Sequence, residues 1–156
     1  MPTGGWERWQ ILADQSLMCD KSRDLRVFCY AQDKVPDGVM ALDVRNYGLG
    51  HYTEDGRARG YAIDHVSGVD WDVQANLLMQ NATPAVLLEA VLQVEERNCV
   101  EFAFACRSGT HRSVGCAVLL IALVYTNAEI VLTTPRTCRD ARTYGFLPGP
   151  SRVGRV

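Results

Sequence analysis

The segment Cys106-Arg-Ser-Gly-Thr-His-Arg-Ser113 holds a thiol, an imidazole, two guanidinium groups and three hydroxyls within eight residues. It follows the apolar run Val100–Ala105, which is typical of a strand, and precedes Val114–Tyr125, which is typical of a helix. The amino end of a helix presents free backbone N–H groups and the positive end of the helix dipole, and arginine can bind phosphate through two parallel hydrogen bonds. The segment therefore predicts a phosphate-binding loop between a strand and a helix. Capping of the helix by serine and threonine alone would not require two arginines, a histidine and a cysteine.

The same segment has a feature of cysteine-dependent phosphatases, whose nucleophile and phosphate-binding arginine are spaced Cys-x5-Arg. Cys106 and Arg112 have that spacing, and Ser113 follows. Thiolates are favoured at helix N-termini beside arginines, and they can attack phosphorus. Such an enzyme also needs a general acid, and the sequence offers four aspartates without choosing among them: Asp43, Asp64, Asp70 and Asp72. A phosphatase that uses Cys106 and Arg112 therefore stays open as an alternative.

Three motifs resemble, in the same order, those of the C-terminal domain of the RapZ family of RNase adapter proteins. The family has Asp-Val-Arg followed shortly by a histidine, and here Asp43-Val-Arg45 precedes His51. The family's Thr-Gly-Leu-Asp turn resembles Ser67-Gly-Val-Asp70. The family's loop reads Gly-Cys-Thr-Gly-Gly-x-His-Arg-Ser-Val, and the residues that match it in register are Cys106, Gly109, His111, Arg112, Ser113 and Val114. The resemblance covers about residues 27–140.

The resemblance implies a small α/β domain that binds a phosphorylated amino sugar, such as glucosamine-6-phosphate, and acts as a sensor or adapter without turnover. In the family the domain also binds small RNA and forms oligomers, so RNA and further copies of the chain are expected partners. Arg112 and the loop amides are expected to hold the phosphate, while Asp43 and His51 reach the hydroxyl or amino groups of the sugar. Carried over by position, the ligand-binding residues are Asp43, His51, Cys106, Arg107, Ser108, Gly109, His111 and Arg112.

The sequence departs from the family pattern in several respects. Arg107 and Ser108 replace Thr and Gly, which makes the loop more cationic. Roughly seven extra residues separate His51 from the turn at Ser67–Asp70. Residues 1–24 cannot hold the family's N-terminal nucleotide-binding domain, so a stand-alone domain is expected.

The elements that must position the loop follow from hydrophobic periodicity and from breaker residues. Strands alternate with helices, which predicts a single α/β domain with a mainly parallel sheet and flanking helices. The expected organisation is an N-terminal arm or short helix over 1–24, the α/β domain over 25–134, and a flexible basic tail over 135–156. The expected strands are 26–30, 39–44 (buried on both faces), 100–105 and 129–133; the expected helices begin after the N-cap Asp70, span 84–97 with Pro84 first, and span 114–125; residues 45–69 are expected to form a loop.

Charge is distributed unevenly along the chain. The net charge is −2 at pH 7, yet residues 133–156 contain five arginines and one aspartate and carry +4, which leaves −6 on residues 1–132. A basic tail on an acidic body favours contact of the tail with nucleic acid, and such binding should weaken steeply with salt. The residues expected to contact RNA are Arg136, Arg139 and Arg142.

Composition limits the remaining possibilities. The chain has 156 residues, 47% of them hydrophobic and 22% charged, an ordinary globular mix. The longest apolar run, Gly115–Tyr125, is shorter than the roughly 20 residues that span a bilayer, and no secretory signal is visible, so a cytoplasmic protein with reduced cysteines and no membrane partner is expected. The three histidines have no zinc-ligand spacing, and neither metal nor cofactor is expected.

Overall fold

A computed structural model describes residues 4–50, 66–134, 137 and 152–155 of the chain. Its elements alternate between helix and strand after an initial helix. In chain order they are α1 (Gly4–Leu17), β1 (Arg26–Ala31), a 3-10 turn (Gln32–Lys34), β2 (Ala41–Asp43), a second 3-10 turn (Val44–Tyr47), α2 (Trp71–Leu78), α3 (Ala82–Arg97), β3 (Glu101–Cys106), α4 (Arg112–Leu123), β4 (Glu129–Leu132) and β5 (Arg152–Arg155).

The five strands form one sheet in the order β2-β3-β1-β4-β5, and all neighbouring strands are parallel. This confirms the predicted α/β class with flanking helices. In the register of the sheet, Val27 of β1 lies between Phe102 of β3 and Ile130 of β4, and all three are buried in the core. The near-continuous burial of β3 and β4 is what central strands of a parallel sheet require, because both of their faces are covered. In β1, buried residues alternate with the half-buried Phe28 and Tyr30.

The helices gather on one face of the sheet. Helix α4 packs against β1, β3 and β4, while α2 and α3 pack against α4. The connection from β1 to β2 crosses the sheet in the direction opposite to the one from β3 to β4. Its residues Gly38–Met40 line a cavity together with Phe28 and Tyr30 of β1 and with Gln93 and Arg97 of α3. Right-handed connections that leave neighbouring strands in opposite directions must cross opposite faces. The connections that follow β1 and β3 therefore leave the carboxyl ends of these neighbouring strands in opposite directions. Ligands of open α/β sheets bind in the crevice between two such strands.

Two elements differ from their predicted form near the site. The strand predicted over 39–44 as buried on both faces is the three-residue, half-buried edge strand β2, because it pairs with β3 on one side only and the chain turns into a 3-10 helix at Val44. Helix α3 begins at Ala82, two residues before Pro84; proline fits the first turn of a helix, where its missing N–H has no intrahelical partner in any case. Asp70 caps α2 as predicted, since its carboxylate accepts a hydrogen bond from the Asp72 amide at 2.9 Å.

The two ends of the chain also carry more structure than predicted. The N-terminal arm is a 14-residue helix, α1, that packs against α3. Leu12 is buried in the core, whereas Trp6 is 75% exposed. Trp71, beside the cap of α2, is 53% exposed. At the other end, Arg152–Arg155 pair with β4 where an unstructured tail was expected.

Several predictions fall on residues that the structure does not describe, namely those for His51, Asp64, Arg136, Arg139 and Arg142. Within the described ranges, no single helix is both long and apolar enough to cross a membrane. Helices α2 and α3 reach that length and composition only when taken together, and they are bent by 93° at their junction.

Candidate functional site

The predicted loop lies at the carboxyl edge of the sheet, between β3 and α4. Cys106 is the last residue of β3 and Arg112 the first of α4, so five residues, 107–111, connect them. In the register of the sheet, Cys106 lies beside Ala31 at the end of β1. Asp43, at the end of β2, pairs with Ala105. The structure therefore brings together Asp43 and the 106–113 segment, two of the motifs that the sequence places in one pocket.

Gly109 holds the loop against the end of β1. Its φ is +68°, a left-handed conformation that L side chains rarely adopt. A Cβ at this position would collide with the backbone of Tyr30 and Ala31. The loop can approach β1 this closely only with glycine here.

The turn at Ser67–Asp70 supports the loop from its other side. The Gly68 amide donates a hydrogen bond to the Thr110 carbonyl at 2.8 Å. A Cβ on Gly68 would collide with the backbone of His111 and Gly115, so the turn lies directly on the first turn of α4. The second motif of the family resemblance, the Ser67–Asp70 turn, is thus packed against the third, the 106–113 segment.

Arg112 is a buried cation. Arg112 is 9% exposed, and its Nη1 donates a hydrogen bond to the Leu49 carbonyl at 2.9 Å. Its Nε is buried and has no hydrogen-bond partner among the described residues. Of the ion pairs found among those residues, none involves Arg112. Burying a guanidinium without a counter-charge is costly, and buried polar groups are normally paired.

Asp43, whose pKa responds to the charge of Arg112, already has a partner. Its two oxygens accept three hydrogen bonds from the Arg45 guanidinium, at 2.7 to 3.2 Å, and one from the Arg45 amide at 3.0 Å. These bonds from Arg45 lower the pKa of Asp43, and the charge of Arg112 lowers it further. The same pairing raises the pKa of Arg45. Asp43 is therefore an ionised acceptor held in place by Arg45.

Arg45 is a site residue that the predicted set left out. It stands at the mouth of the same edge and is partly exposed, with 39% of its side chain accessible. The signal in the sequence is the Asp-x-Arg spacing of Asp43-Val-Arg45, which predicts a local ion pair but does not show that the pair faces the loop. The register of β2 and β3, in which Asp43 pairs with Ala105, shows that the ion pair lies beside the loop.

Cys106 lies beneath the loop. It is 1% exposed, and its Sγ is 3.3 Å from the Ser113 Oγ, close enough for the thiol to donate a hydrogen bond. The side chains of Arg107 and Ser108 are exposed, whereas Thr110 and His111 are buried. The loop therefore presents Arg107 and Ser108 outward and keeps its thiol and imidazole inside.

The hydroxyls of the segment do not cap α4. The N-cap residue His111 makes no side-chain hydrogen bond to the helix. Ser113 contacts Cys106, and the Thr110 hydroxyl is 3.4 Å from the Ser108 carbonyl. Since the first N–H groups of a helix have no intrahelical acceptor, those of α4 remain directed at the loop. The capping interpretation of the segment does not describe this helix end.

The described residues contain no group of three or more His, Cys, Asp or Glu side chains arranged to hold a metal ion. Comparisons with known protein families, with curated proteins and with solved structures find no match to this chain.

The role of Gly109 can be tested against Gly38, which also has a positive φ, of +81°, but has open space where a Cβ would lie. Gly38→Ala should lower the free energy of unfolding by about 1–2 kcal/mol through backbone strain alone. Gly109→Ala adds a collision with β1 and should cost about 2–4 kcal/mol. Urea denaturation of both variants measures the difference, and equal losses would contradict the close packing of the loop on β1.

Proposed function

We propose that this chain binds a phosphorylated small metabolite at the Cys106–Ser113 loop and acts as a sensor or adapter. The observation that carries the proposal is the environment of Arg112, a buried guanidinium whose Nε has no hydrogen-bond partner among the described residues, at the amino end of a helix whose N-cap residue makes no side-chain cap hydrogen bond. A bound anion would supply the counter-charge that Arg112 lacks among the described residues. It would also accept hydrogen bonds from the amides of the first helical turn.

Phosphate suits this position better than a carboxylate. It offers more acceptor oxygens, and the donors come from several directions: the Arg112 guanidinium, the helix amides and the exposed Arg107 and Ser108. The Asp43–Arg45 pair lies at the same edge and adds both an anionic and a cationic group. A ligand that carries phosphate at one end and hydroxyl or amino groups at the other would bind both the phosphate donors and the Asp43–Arg45 pair.

A phosphosugar has this chemistry. On the resemblance to the RapZ C-terminal domain, we propose a phosphorylated amino sugar such as glucosamine-6-phosphate as the ligand, with Asp43 accepting from its amino or hydroxyl groups. RNA contact through the basic tail, self-association and a cytoplasmic location belong to the same proposal and rest on the sequence.

Binding without turnover is favoured over the phosphatase alternative by three observations. A general acid must hold a proton at neutral pH, but hydrogen bonds from Arg45 lower the pKa of Asp43, so it is deprotonated. Asp70 is engaged as the cap of α2. The thiol of Cys106 is also buried, whereas an attacking thiolate must reach phosphorus in the loop.

Arg112→Gln should abolish or greatly weaken anion binding. Loss of a charged hydrogen bond costs about 1.5–3 kcal/mol, or roughly 10- to 150-fold in affinity. Calorimetric titration with glucosamine-6-phosphate and with inorganic phosphate measures the effect. Arg26→Gln is the matched control, because Arg26 is exposed at the opposite end of β1 and should leave affinity unchanged. Unchanged affinity in a folded Arg112→Gln protein would exclude the loop as the site.

Cys106→Ser should keep ligand binding, because the serine hydroxyl can still hydrogen-bond to Ser113 and the phosphate donors are untouched. The wild-type protein should show no cysteine-dependent hydrolysis of aryl phosphates. The measurements are calorimetry on the variant and release of the aryl alcohol by the wild type. Turnover that disappears in Cys106→Ser would establish the phosphatase instead.

Any affinity for RNA should depend on Arg136, Arg139 and Arg142. Replacing the three with glutamine should reduce binding and flatten its dependence on salt concentration, since phosphate contacts release counterions. Substitution is preferable to truncation at Thr134, because truncation also removes β5 from the sheet. Titration of a labelled single-stranded RNA at several salt concentrations tests this; equal binding by the variant would assign any RNA contact to the body of the domain.

A further inference from the structure

A second cavity lies on the other side of the loop from the Arg112 contact. Its volume is about 460 Å³, within the usual range for a small-molecule pocket. Arg112 donates its hydrogen bond to the carbonyl of Leu49, which follows β2 in the chain. The cavity is instead formed at the carboxyl ends of β1 and β4, and its lining includes Tyr30, Ala31, Lys34, Pro36, Ser108 and Thr133.

This cavity sits where the topology favours ligand binding. The chain leaves β1 toward β2 and leaves β3 toward β4, in opposite directions across the sheet. Lys34 and Pro36 belong to the connection that leaves β1, while Ser108 belongs to the one that leaves β3. The walls thus come from the two diverging connections, which is the crevice that open α/β sheets use for ligands.

The walls of the cavity suit a flat ring. The Tyr30 ring is half-buried and stacks on Phe28, with ring centres 5.9 Å apart and planes within 5°. A planar ring placed against Tyr30 would extend this stack, and aromatic pairs of this kind are favourable. Pro36 and Ala31 add apolar surface. Burial raises the pKa of Tyr30, so its phenol stays protonated and can donate a hydrogen bond.

The charge at the cavity is positive. Lys34 is the charged residue among the described residues that line it. The ammonium of Lys34 is exposed and takes part in none of the ion pairs found in the described parts of the chain. Ser108 and Thr133 also line the cavity, and each carries a hydroxyl group. The Thr133 hydroxyl already donates a hydrogen bond to the Cys29 carbonyl at 2.5 Å.

We infer that this cavity is a second ligand site, which takes a planar heteroaromatic ring bearing an anionic group, of the kind found in nucleoside monophosphates. The ring lies against Tyr30 and the anion faces Lys34 and Ser108. The site goes beyond the function proposed above because it does not use Arg112. Ser108 belongs to both the loop and the cavity wall, so the two ligands would be in contact with one short segment.

The test uses adenosine monophosphate as the probe, with adenosine and ribose 5-phosphate as its two halves, titrated by calorimetry into the full chain. Tyr30→Leu should weaken binding of adenosine monophosphate about tenfold or more, as expected for loss of a stacking platform. Lys34→Gln should weaken binding of adenosine monophosphate but not of adenosine. Lys21→Gln, at an exposed lysine near the amino end of the sheet, is the matched control and should change neither.

Arg112→Gln separates the two sites. If the inference is right, this variant binds adenosine monophosphate as the wild type does, whatever its affinity for inorganic phosphate. Failure of the probe to bind at millimolar concentration overturns the inference. So does equal binding of ribose 5-phosphate and adenosine monophosphate by the Arg112→Gln protein, or adenosine monophosphate binding that Arg112→Gln removes and Lys34→Gln does not. Lys34→Gln decides the matter if Tyr30→Leu does not fold, since Lys34 is exposed.

Discussion

The burial of the Arg112 guanidinium is the constraint around which this edge of the sheet is arranged. Its hydrogen bond to the Leu49 carbonyl joins the first residue of α4 to the turn after β2, two parts of the chain separated by more than sixty residues. The bond fixes where the helix begins relative to the sheet, and so where its free amides point. A buried guanidinium in this position has two requirements: a backbone carbonyl that accepts its hydrogen bond, and an anion that neutralises its charge.

The carboxylate of Asp43 is close enough for its pKa to respond to Arg112, yet it is bound by Arg45. Together the three residues carry one negative and two positive charges, so the edge has a net positive charge even though residues 1–132 are acidic overall. Because this edge is positive and the rest of the body is acidic, anions are attracted to this one place on the surface. A local excess of this kind orients a phosphorylated ligand without requiring a broad basic face, which the composition of the body does not offer.

Those parts of the fold that depend on contiguous residues could be predicted from the sequence. The buried face of α3, the apolar strand before Cys106 and the cap at Asp70 follow from periodicity and from local hydrogen bonding. The shortness of β2 could not be predicted, because an apolar run does not reveal whether a strand has one neighbour or two. The pairing of Arg152–Arg155 with β4 is likewise a long-range choice that a run of four residues does not signal. At the site, the loop was predictable, while the burial of Cys106 under it and the position of the Asp43–Arg45 pair beside it depend on how β2 lies beside β3.

The two outer strands of the sheet are very short, three residues in β2 and four in β5. A strand of that length exposes few unpaired N–H and C=O groups, so it is a poor template for adding a strand from another molecule. The sheet is therefore protected from growing sideways, and its core strands β1, β3 and β4 are each paired on both sides. Within the described ranges, pairing between copies of this chain through β2 or β5 is therefore disfavoured.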